Sequence, residues 1–122
     1  MASIKRKISV IIPARMGATR FPGKPLRLLR GIPMIEHVRR RAALSSLADD
    51  VIVATCDMEI FEVVERAGGR ALMTSDKHER CTDRVAEAAR NLDSDIVVNV
   101  QGDEPLILPG MIDDVVKPML HD

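Results

Sequence analysis

Ile8-Ser9-Val10-Ile11-Ile12-Pro13-Ala14-Arg15-Met16-Gly17-Ala18-Thr19-Arg20-Phe21-Pro22-Gly23-Lys24-Pro25 is the stretch on which the fold turns. Ile8–Ile12 is a short β-branched run, which reads as a buried strand stopped by Pro13. Punctuation follows at once. Gly17, Pro22, Gly23, Pro25, Gly31 and Pro33 crowd residues 13–33, too many breakers for a helix, so a long loop is expected. It carries the cations Arg15, Arg20, Lys24 and Arg27, and a long loop in a compact domain is usually functional.

Outward from this stretch, buried strands alternate with amphipathic helices. Pro33 opens a helix expected over Met34–Leu47, with Ile35, Val38 and Ala42 on one face. Val51–Ala54 reads as a strand and residues 58–67 as a helix closed by Gly68-Gly69. Arg70–Met73 reads as a third strand, and Thr82 or Asp83 as the cap of a helix through Leu92, with Glu87 on its polar face. Asp95–Val100 is the fourth strand, and a last helix runs from about Pro109 to Leu120. The order β-α-β-α-β-α-β-α argues a parallel sheet with helices on both faces. Ligands of such sheets lie beyond the carboxyl ends of the strands. Residues 13–25 and 101–105 each follow a strand directly, so they are expected on one rim.

The chain has 122 residues, enough for one small α/β domain over 1–122. A hydrophobic share of 46% supplies a core and excludes global disorder. No apolar run reaches the length of a membrane span. The basic start is not read as a secretory signal, and Cys56 and Cys81 suit neither a disulfide framework nor a zinc site; a reducing cytoplasm is the expectation. Residues 1–41 hold 11 Lys/Arg and one acid, Glu36, whereas residues 42–122 carry a net charge of −10. This asymmetry suits an anionic ligand, or simply mutual neutralisation across the surface. With only two Phe and neither Trp nor Tyr, base stacking on nucleic acid is disfavoured.

The loop at 13–25 can aim backbone N–H groups at phosphate oxygens. Arg15 and Arg20 can fork onto those oxygens, and Lys24 supplies a point charge. Neither a Walker A loop nor the dinucleotide glycine fingerprint is present, which argues against a dehydrogenase. In Gln101-Gly102-Asp103-Glu104-Pro105, Asp103 is the first choice for a Mg²⁺ ligand and Glu104 the second, against a plain turn before proline. His78 has no evident partner in sequence and is a weak candidate base. The two Cys read as core or partly buried thiols.

Val10-Ile-Ile-Pro-Ala-Arg15, Thr19-Arg20-Phe-Pro-Gly-Lys24-Pro-Leu26 and Gly31-Ile-Pro-Met-Ile35 resemble the amino-terminal signature of sugar-acid cytidylyltransferases. Val51–Thr55, Met73-Thr74, His78, Thr82-Asp83-Arg84 and Val98-Asn-Val-Gln-Gly-Asp-Glu-Pro105 extend the resemblance over about residues 8–120. Within that group they are most similar to the 3-deoxy-manno-octulosonate cytidylyltransferase (CMP-Kdo synthetase) family.

The resemblance implies a three-layer αβα, mostly parallel Rossmann-like sheet of the nucleotide-diphospho-sugar transferase type, incomplete in this chain. It implies conversion of CTP and a sugar acid, Kdo, to CMP-Kdo and pyrophosphate with Mg²⁺, for lipopolysaccharide synthesis. By matching position, Arg15 and Lys24 would hold the triphosphate and stabilise the departing pyrophosphate, assisted by Arg20. Pro13 and Ala14 would lie along the nucleoside, and Gln101 would contact nucleotide or sugar acid. His78 and Thr82 belong to the segment lining the base pocket, and Asp103 would bind Mg²⁺. Arg80-Cys81 stands where the family usually reads Ser-Gly. Family chains are about twice this length; their second half carries much of the sugar-acid site and homodimer contacts. A non-catalytic nucleotide-binding or assembly module, or a synthetase for another sugar acid, is the alternative.

Overall fold

The computed structural model describes residues 6–17, 23–78, 80–102 and 109–120. Four parallel strands form the main sheet: β1 (Ile8–Ala14), β4 (Asp50–Thr55), β5 (Arg70–Met73) and β6 (Ile96–Asn99), in the order β5-β4-β1-β6. Helices α1 (Met34–Ala42), α2 (Met58–Arg66), α3 (Cys81–Arg90) and α4 (Pro109–Leu120) connect or flank them. The chain steps outward from β1 to β4 to β5, then crosses back through α3 to place β6 on the other side of β1. That reversal makes the carboxyl ends of β1 and β6 the topological switch point of the sheet.

The core follows from the two-residue period of the strands. Val10 and Ile12 of β1, Val53 of β4 and Val98 of β6 pack with Ile35 and Val38 of α1, Ile60 and Val64 of α2, and Ile112 and Val116 of α4. On the opposite face Ile11 and Ala54 pack with Val85 and Ala88 of α3. Helices therefore cover both faces, as expected, with α3, among the described residues, the one helix on its side. The interior also holds an ion pair. Glu36 is buried, and Arg39 grips it with Nε at 2.6 Å and Nη2 at 2.7 Å, while Arg40 Nε lies at 3.1 Å. These hydrogen bonds hold the Arg39 guanidinium above its ordinary pKa.

Several sequence expectations need correction. The first strand does not stop at Pro13 but runs to Ala14. Pairing of β1 with β6 ends at Ile11–Asn99, while pairing with β4 continues to Ala14–Thr55. Pro13 thus sits where β1 has a partner on one side only, and its missing N–H is tolerated. The long loop is not wholly irregular. Lys24–Leu26 forms a 3₁₀ turn, and β2 (Leu28–Leu29) pairs antiparallel with β3 (Ile32–Pro33). Between them Arg30 and Gly31 both have positive φ, 53° and 78°, the pattern of a two-residue hairpin turn.

Helix α1 ends at Ala42 rather than near Leu47. The Asp113 carboxylate of α4 accepts bonds from the Ser45 hydroxyl at 2.5 Å, the Ser46 hydroxyl at 2.8 Å and the Leu47 N–H at 3.3 Å. Those bonds draw the segment out of helical geometry. Helix α3 begins at Cys81 with Arg80 in the cap position, so Thr82 and Asp83 lie exposed within its first turn and cap nothing.

Candidate functional site

The two segments expected on one rim meet there. At Gly102, just past β6, an added Cβ would lie 2.8 Å from the Pro13 carbonyl oxygen and 3.7 Å from the Ala14 Cβ. Only glycine permits this approach of one backbone to another. Pro13 and Ala14 are buried in the sheet, and Arg15 emerges half-buried at its edge. The Arg15 side chain has no hydrogen-bond or ion-pair partner among the described residues. Gln101 is exposed on the same rim, beside the switch point.

The base of the cationic loop is closed by one backbone bond. The Gly23 N–H donates to the Met16 carbonyl at 2.8 Å, and Gly23 adopts φ +75°. Met16 and Gly23 are therefore held together, and Lys24 follows at the start of the 3₁₀ turn. Pro25 is buried and fixes that turn on the body of the domain. Arg15 and Lys24 thus flank the two feet of one loop. Arg20, Asp103 and Glu104, three of the residues assigned to this chemistry, lie outside the described residues.

A second wall comes from the segment after β5. The Thr74 N–H donates to the Thr55 carbonyl at 2.8 Å, which keeps the segment alongside the end of β4. Helix α3 then clamps the next peptide from both sides. Glu87 Oε1 accepts the Ser75 N–H at 3.0 Å, and buried Arg84 donates to the Ser75 carbonyl at 3.1 Å and to the Thr74 hydroxyl. His78 Nε2 lies 2.6 Å from Glu87 Oε1, so the histidine that lacked a partner in sequence has one in space. The Ser75 N–H, and next the His78 ring, hold the Glu87 carboxyl below the usual carboxylate range. Arg80 is exposed and, among the described residues, reaches only Asp83, at 4.0 Å.

Three contributors escaped the sequence reading: Asp57, Arg84 as a buried clamp, and Glu87. The Asp57 carboxylate accepts the Met16 N–H at 2.8 Å. A signal for Asp57 existed, because Cys56-Asp57 follows a strand just as 13–25 and 101–105 do. Glu87 lies three residues after Arg84 on one helix face, a spacing that lets both reach the same peptide. Cys56 is a partly buried free thiol, as expected.

Among the described residues no group of three or more His, Cys, Asp or Glu is placed to hold a metal ion. Among them, too, no helix is long and apolar enough to cross a membrane. The rim offers cations at a loop base, backbone ends at a switch point and a wall held by a carboxylate. That combination suits a polyanion.

Comparison with known proteins fits this geometry. A profile described as cytidylyltransferase matches residues 9–121. A curated relative from Geotalea uraniireducens, named 3-deoxy-manno-octulosonate cytidylyltransferase, is 58% identical over 116 residues, covering 95% of this chain and 46% of its own. One of the same name from Geotalea daltonii is 56% identical, again over 95% and 46% of the two chains. Among solved structures, a CMP:2-keto-3-deoxy-manno-octonic acid synthetase complexed with CTP superposes with a TM-score of 0.92 at 42% identity, over 95% of this chain and 48% of that one. A cytidylyltransferase from Leptospira borgpetersenii gives 0.85 at 28% identity, over 97% and 50%. The chain spans about half the length of the curated relatives it matches.

Proposed function

The chain belongs to the cytidylyltransferase family, and on that premise we propose that its carboxyl rim is the nucleotide-binding part of a site that activates a sugar acid. The substrates are CTP and 3-deoxy-manno-octulosonate (Kdo). The products are CMP-Kdo, a precursor for lipopolysaccharide, and pyrophosphate. The observation that carries the reading is the meeting of Gly102 with Pro13 at the switch point, two positions before Arg15, whose side chain has no partner among the described residues.

The chemistry asks little of the protein beyond placement and charge. The anomeric hydroxyl of the sugar acid attacks the α-phosphorus in line. An oxygen–phosphorus bond forms, the bond from the α-phosphorus to the bridging oxygen breaks, and pyrophosphate leaves with that oxygen. The hydroxyl proton passes to solvent. Arg15 forks onto phosphate oxygens, and Lys24 places a point charge where negative charge collects on the leaving group. Arg20 adds to the same field. Pro13 and Ala14 provide a dry, rigid edge along the nucleoside. His78, Thr82 and the clamped 74–78 segment form the base side, and Gln101 meets nucleotide or sugar acid.

Asp103 is the Mg²⁺ ligand in this reading. Mg²⁺ usually takes one or two carboxylates together with phosphate oxygens and water, so an aspartate directly after Gly102 suits it. When bound, the ion neutralises triphosphate charge. Full-length relatives of this family would work as homodimers, and the rest of the sugar-acid site would come from sequence beyond this half.

Pyrophosphate release tests the proposal once this segment is joined to the carboxyl-terminal half of a full-length relative, which supplies the rest of the sugar-acid site. Release should require both CTP and Kdo, depend on a divalent cation, and fall sharply with UTP, ATP or other 2-keto sugar acids. Equal release from all three nucleotides, or release indifferent to the sugar acid, would refute it.

A further inference from the structure

The cationic loop is anchored from outside itself, by a residue with no part in the proposed chemistry. Asp57 stands in the cap position of α2, with φ −106° and ψ 119°. An aspartate there ordinarily turns its carboxylate onto the N–H groups of its own helix. This one makes no such bond. Its Oδ2 instead accepts the Met16 N–H at 2.8 Å, from a residue 41 positions away. The Cys56 thiol lies 3.7 Å from the same oxygen. The Asp57 N–H donates to the hydroxyl of buried Thr55 at 3.1 Å, which fixes the residue on the end of β4.

The Met16 peptide units are therefore held at both ends. The N–H is held by Asp57 and the carbonyl by the Gly23 N–H at 2.8 Å. Arg15 precedes Met16, and Lys24 follows Gly23. A rotation of the backbone at Met16 would swing the Arg15 stem and open the loop base together.

We propose that Asp57 is a positioning residue that sets the phosphate loop, holding Arg15 and Lys24 in register before nucleotide arrives. The proposal rests on the nucleotide-site reading above. Its physical content is preorganisation: a backbone already fixed loses less freedom when the ligand binds. A carboxylate is the strongest neutral-pH acceptor available for a backbone N–H.

The test compares Asp57→Ala, Asp57→Ser and Asp57→Asn with the parent. Two readouts are needed: amide hydrogen exchange at Met16 and Gly23 without nucleotide, and CTP affinity. Loss of one bond to a charged acceptor predicts about tenfold faster exchange at both amides and about tenfold weaker CTP binding in the alanine variant. Exchange within Val10–Ile12 should not change. Asp57→Asn keeps an acceptor oxygen in place and should stay close to the parent in both readouts. Asp57→Ser keeps a side chain able to cap α2 but withdraws the acceptor from Met16, so it should follow alanine. The proposal is overturned if exchange at Met16 is unchanged in Asp57→Ala, if serine restores parental behaviour, or if asparagine fails as badly as alanine. A parent that binds no CTP would sink the nucleotide reading instead, and the exchange arm would still decide the role of Asp57.

Discussion

The Pro13 carbonyl and Gly102 are in backbone contact: a methyl group on Gly102 would lie 2.8 Å from that oxygen. Through this contact the chain leaving β6 is pressed against the end of β1, and the two segments that carry the proposed chemistry share one rim. Gly102→Ala should force them apart. The neighbour is backbone and cannot swing away, so a cost of about 1–3 kcal/mol is expected. Urea unfolding of the variant should show it, and CTP affinity should fall with it. An alanine variant as stable as the parent would mean that the rim relaxes freely.

Arg15 and Lys24 flank the feet of one loop, and both are assigned to the triphosphate. Truncating either to alanine removes charge-assisted bonds to phosphate. CTP affinity should weaken about 10- to 100-fold, with little change in the melting temperature of the free chain. Calorimetric titration of each variant checks this. A loss of stability without loss of affinity would move these cations from binding to scaffolding.

Much of this was legible in the chain. The β-branched run at Ile8–Ile12, the helix-spaced Ile35 and Val38, and the Gly68-Gly69 stop each led to the right element, because local pattern and burial agree there. Other features depended on distant partners. Asp113 ends α1 early by capturing Ser45 and Ser46 from 67 or more positions away. Pro13 continues a strand because β6 stops pairing at Ile11. His78 acquires Glu87 only once α3 lies against the end of β5. The β2–β3 hairpin has strands of two residues, too short for any period to register. Local chemistry marked the cations and Gln101; Asp57, Arg84 and Glu87, which hold Met16, Ser75 and His78 in place, act across space.

Glu36 is buried with 1% exposure, and Arg39 grips it with two nitrogens. A Cβ on Gly69 would fall 2.5 Å from the Arg39 Nε, so the pair is also wedged against the turn after α2. Glu36→Ala would strand the arginine charge in this setting, and about 3 kcal/mol should be lost. Chemical unfolding of the variant measures it. An unchanged midpoint would show that Arg39 escapes to solvent at no cost.

Glu87 carries a pH dependence of known sign. Its carboxyl is held low by the Ser75 N–H and then by His78, so the folded state binds its proton less readily than the unfolded chain. The stabilisation is complete above the ordinary glutamate value, about 4.3, and is lost as pH falls through the lower folded value. Stability of the parent should therefore drop more steeply than that of Glu87→Gln as pH is lowered from 6 toward 3, roughly the window set by these values. Parallel curves for the two proteins would contradict the clamp.

The central claim is a CTP site at the carboxyl rim, and thermal unfolding with CTP, UTP, ATP and GTP, each with and without Mg²⁺, tests it most directly. Ligand at 100 times its Kd should add about 2.7 kcal/mol of stability, readily seen in a domain of this size. The shift should be selective for CTP and enlarged by Mg²⁺, with the Mg²⁺ increment gone in Asp103→Ala. Equal shifts with all four nucleotides, or none from a cooperatively unfolding sample, would contradict it.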